Sequence, residues 1–248
     1  MFSRRGFLVG AASLFAARRA LALGGPSEVD IAEIQLKTGT VSRPDAWSRL
    51  LFELIQSTSV EAEPKSVQLS PDDPELFRHP FAVLIAEDAL PPLSPAAEQQ
   101  LRRYLSYGGF LYIDDASGVT DSPVDASVRA MVARLYPTRP LTILPTEHSV
   151  YRTFFLLHAA VGRVANHRRL EGVVQGSMHP LVYGRDDLSG ALERRADGTD
   201  RYPCTPGGED QRRESIKLGI NLLMYAMTSN YKQDQAHVKQ LMLEGRLE

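Results

Sequence analysis

Apolar positions along this chain fall into alternating short runs and 3.6-spaced stripes. The first alternation, Asp30-Ile31-Ala32-Glu33-Ile34-Gln35-Leu36, predicts a strand. Trp47, Leu50, Leu51, Leu54 and Ile55 are spaced for one buried helix face, with Asp45 as a helix-capping residue. A short strand is predicted over 65–69. Phe81-Ala82-Val83-Leu84-Ile85-Ala86 is apolar throughout, the mark of a strand covered on both faces of a parallel sheet. Ser94 and Pro95 open a helix carrying Leu101, Tyr104 and Leu105, which stops before Gly108-Gly109. Phe110-Leu111-Tyr112-Ile113 is the next strand and ends at Asp114-Asp115. A helix over 125–136 buries Val128, Met131, Val132 and Leu135. Strands follow at 141–144, 171–178 and 181–183, with 145–170 unassigned. Residues 186–208 are polar and rich in Gly and Pro, predicting a long loop. A final helix over 212–228 carries Ile216, Ile220, Leu223, Met224 and Met227, and a charged tail, helical in part and weakly packed, follows from Asn230. Strands alternating with helices predict an α/β fold, a three-layer α/β/α sandwich with a mostly parallel sheet.

The first residues fit a different purpose. Ser3-Arg4-Arg5-Gly6-Phe7-Leu8 opens a modestly apolar run over 6–17, and Ala20-Leu21-Ala22 offers an A-x-A cleavage site at Ala20 and Ala22. Arg4 and Arg5 followed by such a run form a twin-arginine export signal, an address rather than a fold element. The run is too short to span a ~30 Å hydrocarbon core. It predicts domains at 1–22 (signal peptide), 23–29 (linker), 30–230 (one α/β domain) and 231–248 (tail), with a periplasmic location. An uncleaved signal would instead tether the domain to the membrane, the one membrane contact expected.

Charge narrows the classes of partner. The 248 residues hold 28 Lys+Arg and 30 Asp+Glu, and four of the arginines lie in the signal. The remaining domain is clearly acidic, which argues against a general nucleic-acid binder. The single cysteine, Cys204, excludes an internal disulfide. Nothing beside it lowers a thiol pKa, so it reads as an incidental loop cysteine. Neither a G-x-G-x-x-G nor a P-loop sequence occurs, and no cofactor is required by the sequence.

Three segments carry a family resemblance: Arg78-His79-Pro80-Phe81, the block from Leu101-Arg102-Arg103-Tyr104 through Gly108-Gly109-Phe110-Leu111-Tyr112-Ile113-Asp114-Asp115, and Lys217-Leu218-Gly219-Ile220-Asn221-Leu222-Leu223-Met224-Tyr225. Together they resemble the bacterial domain of unknown function 4159. The resemblance implies a class I glutamine-amidotransferase-like, flavodoxin-like sandwich, with no established activity. In amidotransferases of that fold a nucleophilic Cys stands on the turn after a central strand. The matching turn here reads Glu87-Asp88-Ala89, which implies that thiol-based glutamine hydrolysis is absent.

Ligands of open α/β sheets bind at the carboxyl ends of strands. Two acidic pairs are predicted there, Glu87-Asp88 and Asp114-Asp115. Facing carboxylates could bind a cation, exchange a proton or receive sugar hydroxyls. They could equally cap helices or hold turns, and Asp115 before Ala116-Ser117-Gly118 has the look of a turn former. The resemblance points to His148, as a metal ligand, a proton shuttle or a loop pin. His179 reads as a turn residue and His158 as a core histidine. Asp186, in the polar turn after the last strand, is a further ligand candidate. Arg102, Arg103, Lys217 and Asn221 read as helix-surface residues. Two functions remain open. One is a non-catalytic module of the cell envelope that binds a small polar ligand or a partner protein. The other is a hydrolase built on Glu87, Asp114 and His148, with or without a metal, acting on a small polar or carbohydrate substrate.

Overall fold

The computed structural model describes residues 29–60 and 62–243, with side chains as far as residue 228; the stretch expected to be an export signal, with Arg4, Arg5, Ala20 and Ala22, lies outside the described residues. In chain order the elements are β1 (Val29–Ile34), α1 (Pro44–Ser57), β2 (Ala62–Leu69), a 3-10 turn (Pro74–Arg78), β3 (Phe81–Ala86), α2 (Pro95–Ser106), β4 (Phe110–Asp115), α3 (Pro123–Leu135), β5 (Thr142–Ile143), a second 3-10 turn (Ser149–Tyr151), β6 (Leu170–Gln175), β7 (Met178–Gly184), α4 (Leu188–Leu192) and α5 (Gly208–Leu243). The sheet order is β2-β1-β3-β4-β7-β6-β5. From β2 to β7 every pairing is parallel, while β6 runs against both β7 and β5. The sheet is mostly parallel and is the middle layer of a three-layer sandwich.

Alternation of side chains divides the core in two. Ile31, Phe81, Val83, Phe110, Tyr112 and Val182 pack on one face with Trp47, Leu50, Leu54, Leu218 and Leu222 of α1 and α5. Ala32, Ile34, Ala82, Leu84, Leu111 and Ile113 pack on the other face with Leu101, Leu105, Val128 and Val132 of α2 and α3. All six residues of β3 are buried, as their unbroken apolar run predicts.

Two helices start where a Ser-Pro pair places them. Ser94 accepts the Ala97 N–H, and Ser122 accepts the Val124 N–H, with Pro95 and Pro123 at the first helical position. α3 thus begins earlier than its apolar stripe suggests. α1 begins at Pro44, so Asp45 lies in the first turn, and Arg43 occupies the cap position without a side-chain cap bond. Gly108 turns the chain out of α2 at φ 105°, and Gly109 lies where a Cβ would stand 2.3 Å from the Tyr104 ring.

β1 lies between β2 and β3, and Glu33 is buried there. Two expectations need correction. The stretch 186–208 is not one long loop, because α4 interrupts it. The last helix begins at Gly208 rather than at 212; its backbone runs on to Leu243, through a tail expected to be helical in part. Among the described residues no helix is long and apolar enough to cross a membrane.

Candidate functional site

The carboxyl ends of β1, β3, β4 and β7 share one edge of the sheet, and a buried ionic network is built there. Asp114, near the end of β4, is fully buried. Its Oδ1 accepts the Leu188 N–H at 2.9 Å and its Oδ2 the Ser189 N–H at 2.8 Å. Asp187 caps the same short helix, α4, through the Gly190 N–H at 2.9 Å. Its backbone is left-handed, φ 56°, an unusual state for a residue with a side chain. That state is held from outside: the Asp187 N–H donates to the Asp115 carbonyl and the Arg163 N–H donates to the Asp187 carbonyl. Gly162 is packed against this turn, and a Cβ there would stand 2.0 Å from the Asp186 carbonyl oxygen.

Two arginines neutralise the acids. Arg43 Nη1 donates to Asp187 Oδ1 at 2.8 Å and to Ser189 Oγ at 3.3 Å, while Nη2 donates to Glu87 Oε1 at 2.7 Å. Arg163 pairs with the other oxygen of Asp187. The Arg43 backbone is anchored by Glu33, which accepts its N–H at 2.9 Å and the hydroxyls of Ser42 and Ser66 at 2.8 and 2.5 Å. This explains a charged residue in the middle of a buried strand. Above the network lies the Tyr202 ring, with the guanidinium carbons of Arg43, Arg163 and Arg201 at 5.4, 5.6 and 5.6 Å from its centroid.

Burial pushes the Asp114 carboxyl up to about 6; the charge of Asp187 adds to this, and hydrogen bonds at Ser189 and the charge of Arg43 oppose it. Asp187 is also raised by burial, against the pull of Arg43 and Arg163. Burial works against the charge on Arg43, yet Asp187, Glu87 and Asp114 outweigh it and hold its proton more firmly than usual.

The strand order reverses between β1 and β3, the place where open α/β sheets hold ligands. Here the 39–42 loop fills that crevice. Thr40 bridges to Ala86, the Val41 N–H donates to Ile85, and the N–H groups of Glu87 and Asp88 both donate to the Gly39 carbonyl. Gly39 is left-handed at φ 80°, and a Cβ on it would come within 2.6 Å of the Ala89 carbonyl oxygen.

The predicted site residues separate into several groups. Glu87 and Asp114 join one network through Arg43 and Asp187. Asp88 accepts the Ala89 N–H within its own turn. Asp115 accepts the Ser117 N–H and hydroxyl. Asp186 accepts the N–H groups of Asn166, His167 and Arg168, and so pins the loop before β6. His148 does not join them. Its Nε2 lies 3.0 Å from Nδ1 of His179 at the start of β7. The β4–β7 register sets Gly184 level with Asp114, so His179 lies five residues back along β7, a climb of about 16 Å. Glu87, Asp114 and His148 therefore do not converge, and among the described residues no three His, Cys, Asp or Glu side chains gather as a metal-holding group.

The two histidines fix each other's tautomers. Nδ1 of His148 accepts the Val150 N–H, so its proton is on Nε2 and is donated to His179 Nδ1. Burial lowers both pKa values, that of His148 to about 4 with His179 contributing. His179 is therefore a paired strand residue rather than a turn residue. His158 is exposed rather than in the core. Asn221 is fully buried and not on the helix surface; its amide accepts the N–H groups of Phe154 and Phe155 and donates to the Phe155 carbonyl. Cys204 is buried, and burial raises its thiol pKa.

The model for the Domain of unknown function (DUF4159) matches residues 30–227. The chain belongs to this family. The match runs from β1 through the described side chains of α5 and so covers the whole sheet and the network at its edge. No curated protein matches the chain. Membership fixes no residue roles, and several members of the network were not singled out from sequence: Arg43, Glu33, Arg163 and Tyr202.

Proposed function

We propose that this DUF4159 chain is an exported, non-catalytic binding module of the cell envelope, built on an amidotransferase-like sandwich in which Glu87 stands where the nucleophile would be. One observation carries the reading. The two carboxylates with the most perturbed environment, Asp114 and Asp187, are wholly buried and committed to backbone N–H groups and arginines. Groups so engaged organise a surface more readily than they attack a substrate. That surface, with Tyr202, Arg201 and the half-exposed Glu87, is where a small polar ligand or an envelope protein would sit. Export rests on the twin arginines at positions 4 and 5.

A carboxylate-dependent hydrolase is the competing reading, favoured by the Asp114 carboxyl at about 6, close to the range suited to proton transfer. Its weakness is access: Asp114 has no exposed surface, and His148 is bonded elsewhere. The two are separated by assaying the full chain and Asp114→Asn on chromogenic ester, amide and glycoside substrates, beside a thermal-shift screen of small polar ligands. Ligand-dependent stabilisation without turnover is expected. Turnover that Asp114→Asn abolishes overturns the binding reading. Cell fractionation tests export: the native chain is expected in the periplasm, and a double Arg4→Lys, Arg5→Lys variant in the cytoplasm.

A further inference from the structure

Arg43 has two carboxylate partners that differ greatly in burial. Its own side chain is 6% exposed; that of Asp187 is 0% exposed and that of Glu87 is 45% exposed. Among the described residues the Glu87 carboxylate is tied only to Arg43 Nη2, whereas its backbone N–H is fixed to Gly39. The side chain can therefore rotate into solvent without moving the main chain. A half-exposed ion pair of this kind holds weakly, but the guanidinium behind it is buried, and with Nη1 taken by Asp187 its Nη2 needs an acceptor of its own.

We infer that Glu87 occupies a site for an external anion of the carboxylate or phosphate class, which displaces the Glu87 carboxylate from Arg43 Nη2 beneath Tyr202. This rests on the binding-module reading and names its ligand class. With Glu87 turned away, Arg43 Nη2 loses its acceptor while Nη1 stays on Asp187 and Ser189, and the guanidiniums of Arg43, Arg163 and Arg201 stand together beside Tyr202. A neutral sugar brings no charge to replace the one that leaves. The planar, forked guanidinium suits two-oxygen anions of both classes.

The test measures binding of succinate and of inorganic phosphate to the full chain by calorimetry at constant ionic strength, with chloride as the control. Glu87→Gln keeps the size of the side chain and removes the competing charge. It is expected to bind the preferred anion about 5-fold more tightly than the native chain, the weight of a weak exposed ion pair. Arg201→Ala, a surface change, is expected to weaken that binding without lowering the melting temperature. Tighter binding of succinate alone assigns the carboxylate class, and of phosphate alone the phosphate class. Equal affinity of native chain and Glu87→Gln for both anions overturns the inference, as does an affinity that chloride matches. Either result leaves the binding-module reading intact if a neutral ligand stabilises the chain in the thermal-shift screen, and turnover lost in Asp114→Asn refutes that reading independently.

Discussion

Arg43 offers one cation held by two carboxylates in unlike surroundings, so the two couplings should differ several-fold. Unit charges about 4 Å apart interact by ~4 kcal/mol at the effective dielectric typical of protein sites and by ~1 kcal/mol in water. Asp187 is fully buried and should lie toward the first value, giving a coupling of about 3 kcal/mol with Arg43. Glu87 is half exposed and should lie at or below about 1 kcal/mol. Two double-mutant cycles separate them: Arg43→Met with Asp187→Asn, and Arg43→Met with Glu87→Gln. Asn tolerates the left-handed backbone at position 187 and still accepts the Gly190 N–H, so the cycle isolates the charge. Arg163, which loses its partner in Asp187→Asn, does so with or without Arg43, and its cost cancels. The assay is urea unfolding followed by fluorescence of Trp47, the only tryptophan and fully buried. Equal couplings in the two cycles, or an Asp187 coupling below about 1 kcal/mol, would refute the claim that burial ranks these two contacts.

Two further outcomes follow from other buried groups. Asn221→Ala leaves two N–H groups and one carbonyl of Phe154 and Phe155 without their partner, and is expected to cost about 3 kcal/mol in urea unfolding; a loss below about 1 kcal/mol would refute the assignment. The pH dependence combines two opposed terms. His148 titrates near 4 when folded against an ordinary 6.5, so the unfolded chain takes the proton first and stability falls as pH drops from about 6.5 to about 4. Asp114 titrates near 6 when folded against an ordinary 3.8, so the folded chain takes the proton first and its term gains as pH drops from about 6 to 3.8. His148→Gln should therefore flatten the loss of stability toward pH 4.5, and Asp114→Asn should steepen it; the opposite pair of slopes in urea midpoints would refute both signs.

Local signals in the sequence translated directly into structure. The apolar run of β3 and the Ser94-Pro95 start of α2 depend on neighbours a few residues away, and both were legible. The role of Glu33 was not legible, because its partners Ser42, Ser66 and the Arg43 N–H lie outside its strand. The acids at the ends of β3 and β4 were legible as chemically distinct, but their partners were not. α4 has five residues, too few to show a period, and its polar Gly-containing sequence resembles a loop. His148 was misplaced for a topological reason. The 145–157 segment does not cover the strand ends; Val150, Tyr151 and Leu157 pack in the core with α1 and α5, and that carries His148 to His179. Nothing local in a sequence says which part of a sheet a long connection will cross.

The position of β7 between β4 and β6 has a consequence for the order of synthesis. The chain makes β1 to β4 first, and these can pair as β2-β1-β3-β4 while the rest is still being translated. β4 is then an edge, with all its residues destined for burial, and it stays unpaired until residue 184 has emerged. Asp114 likewise waits for Leu188 and Ser189, and Arg43 waits for Asp187, 144 residues downstream. A nascent or truncated chain ending before β7 therefore presents a bare apolar strand edge, the kind that recruits chaperones or other copies of itself. The last strand to reach the centre of the sheet closes that edge, and the ionic network is assembled from the residues that directly follow it, so intactness of the network reports that β7 is in place.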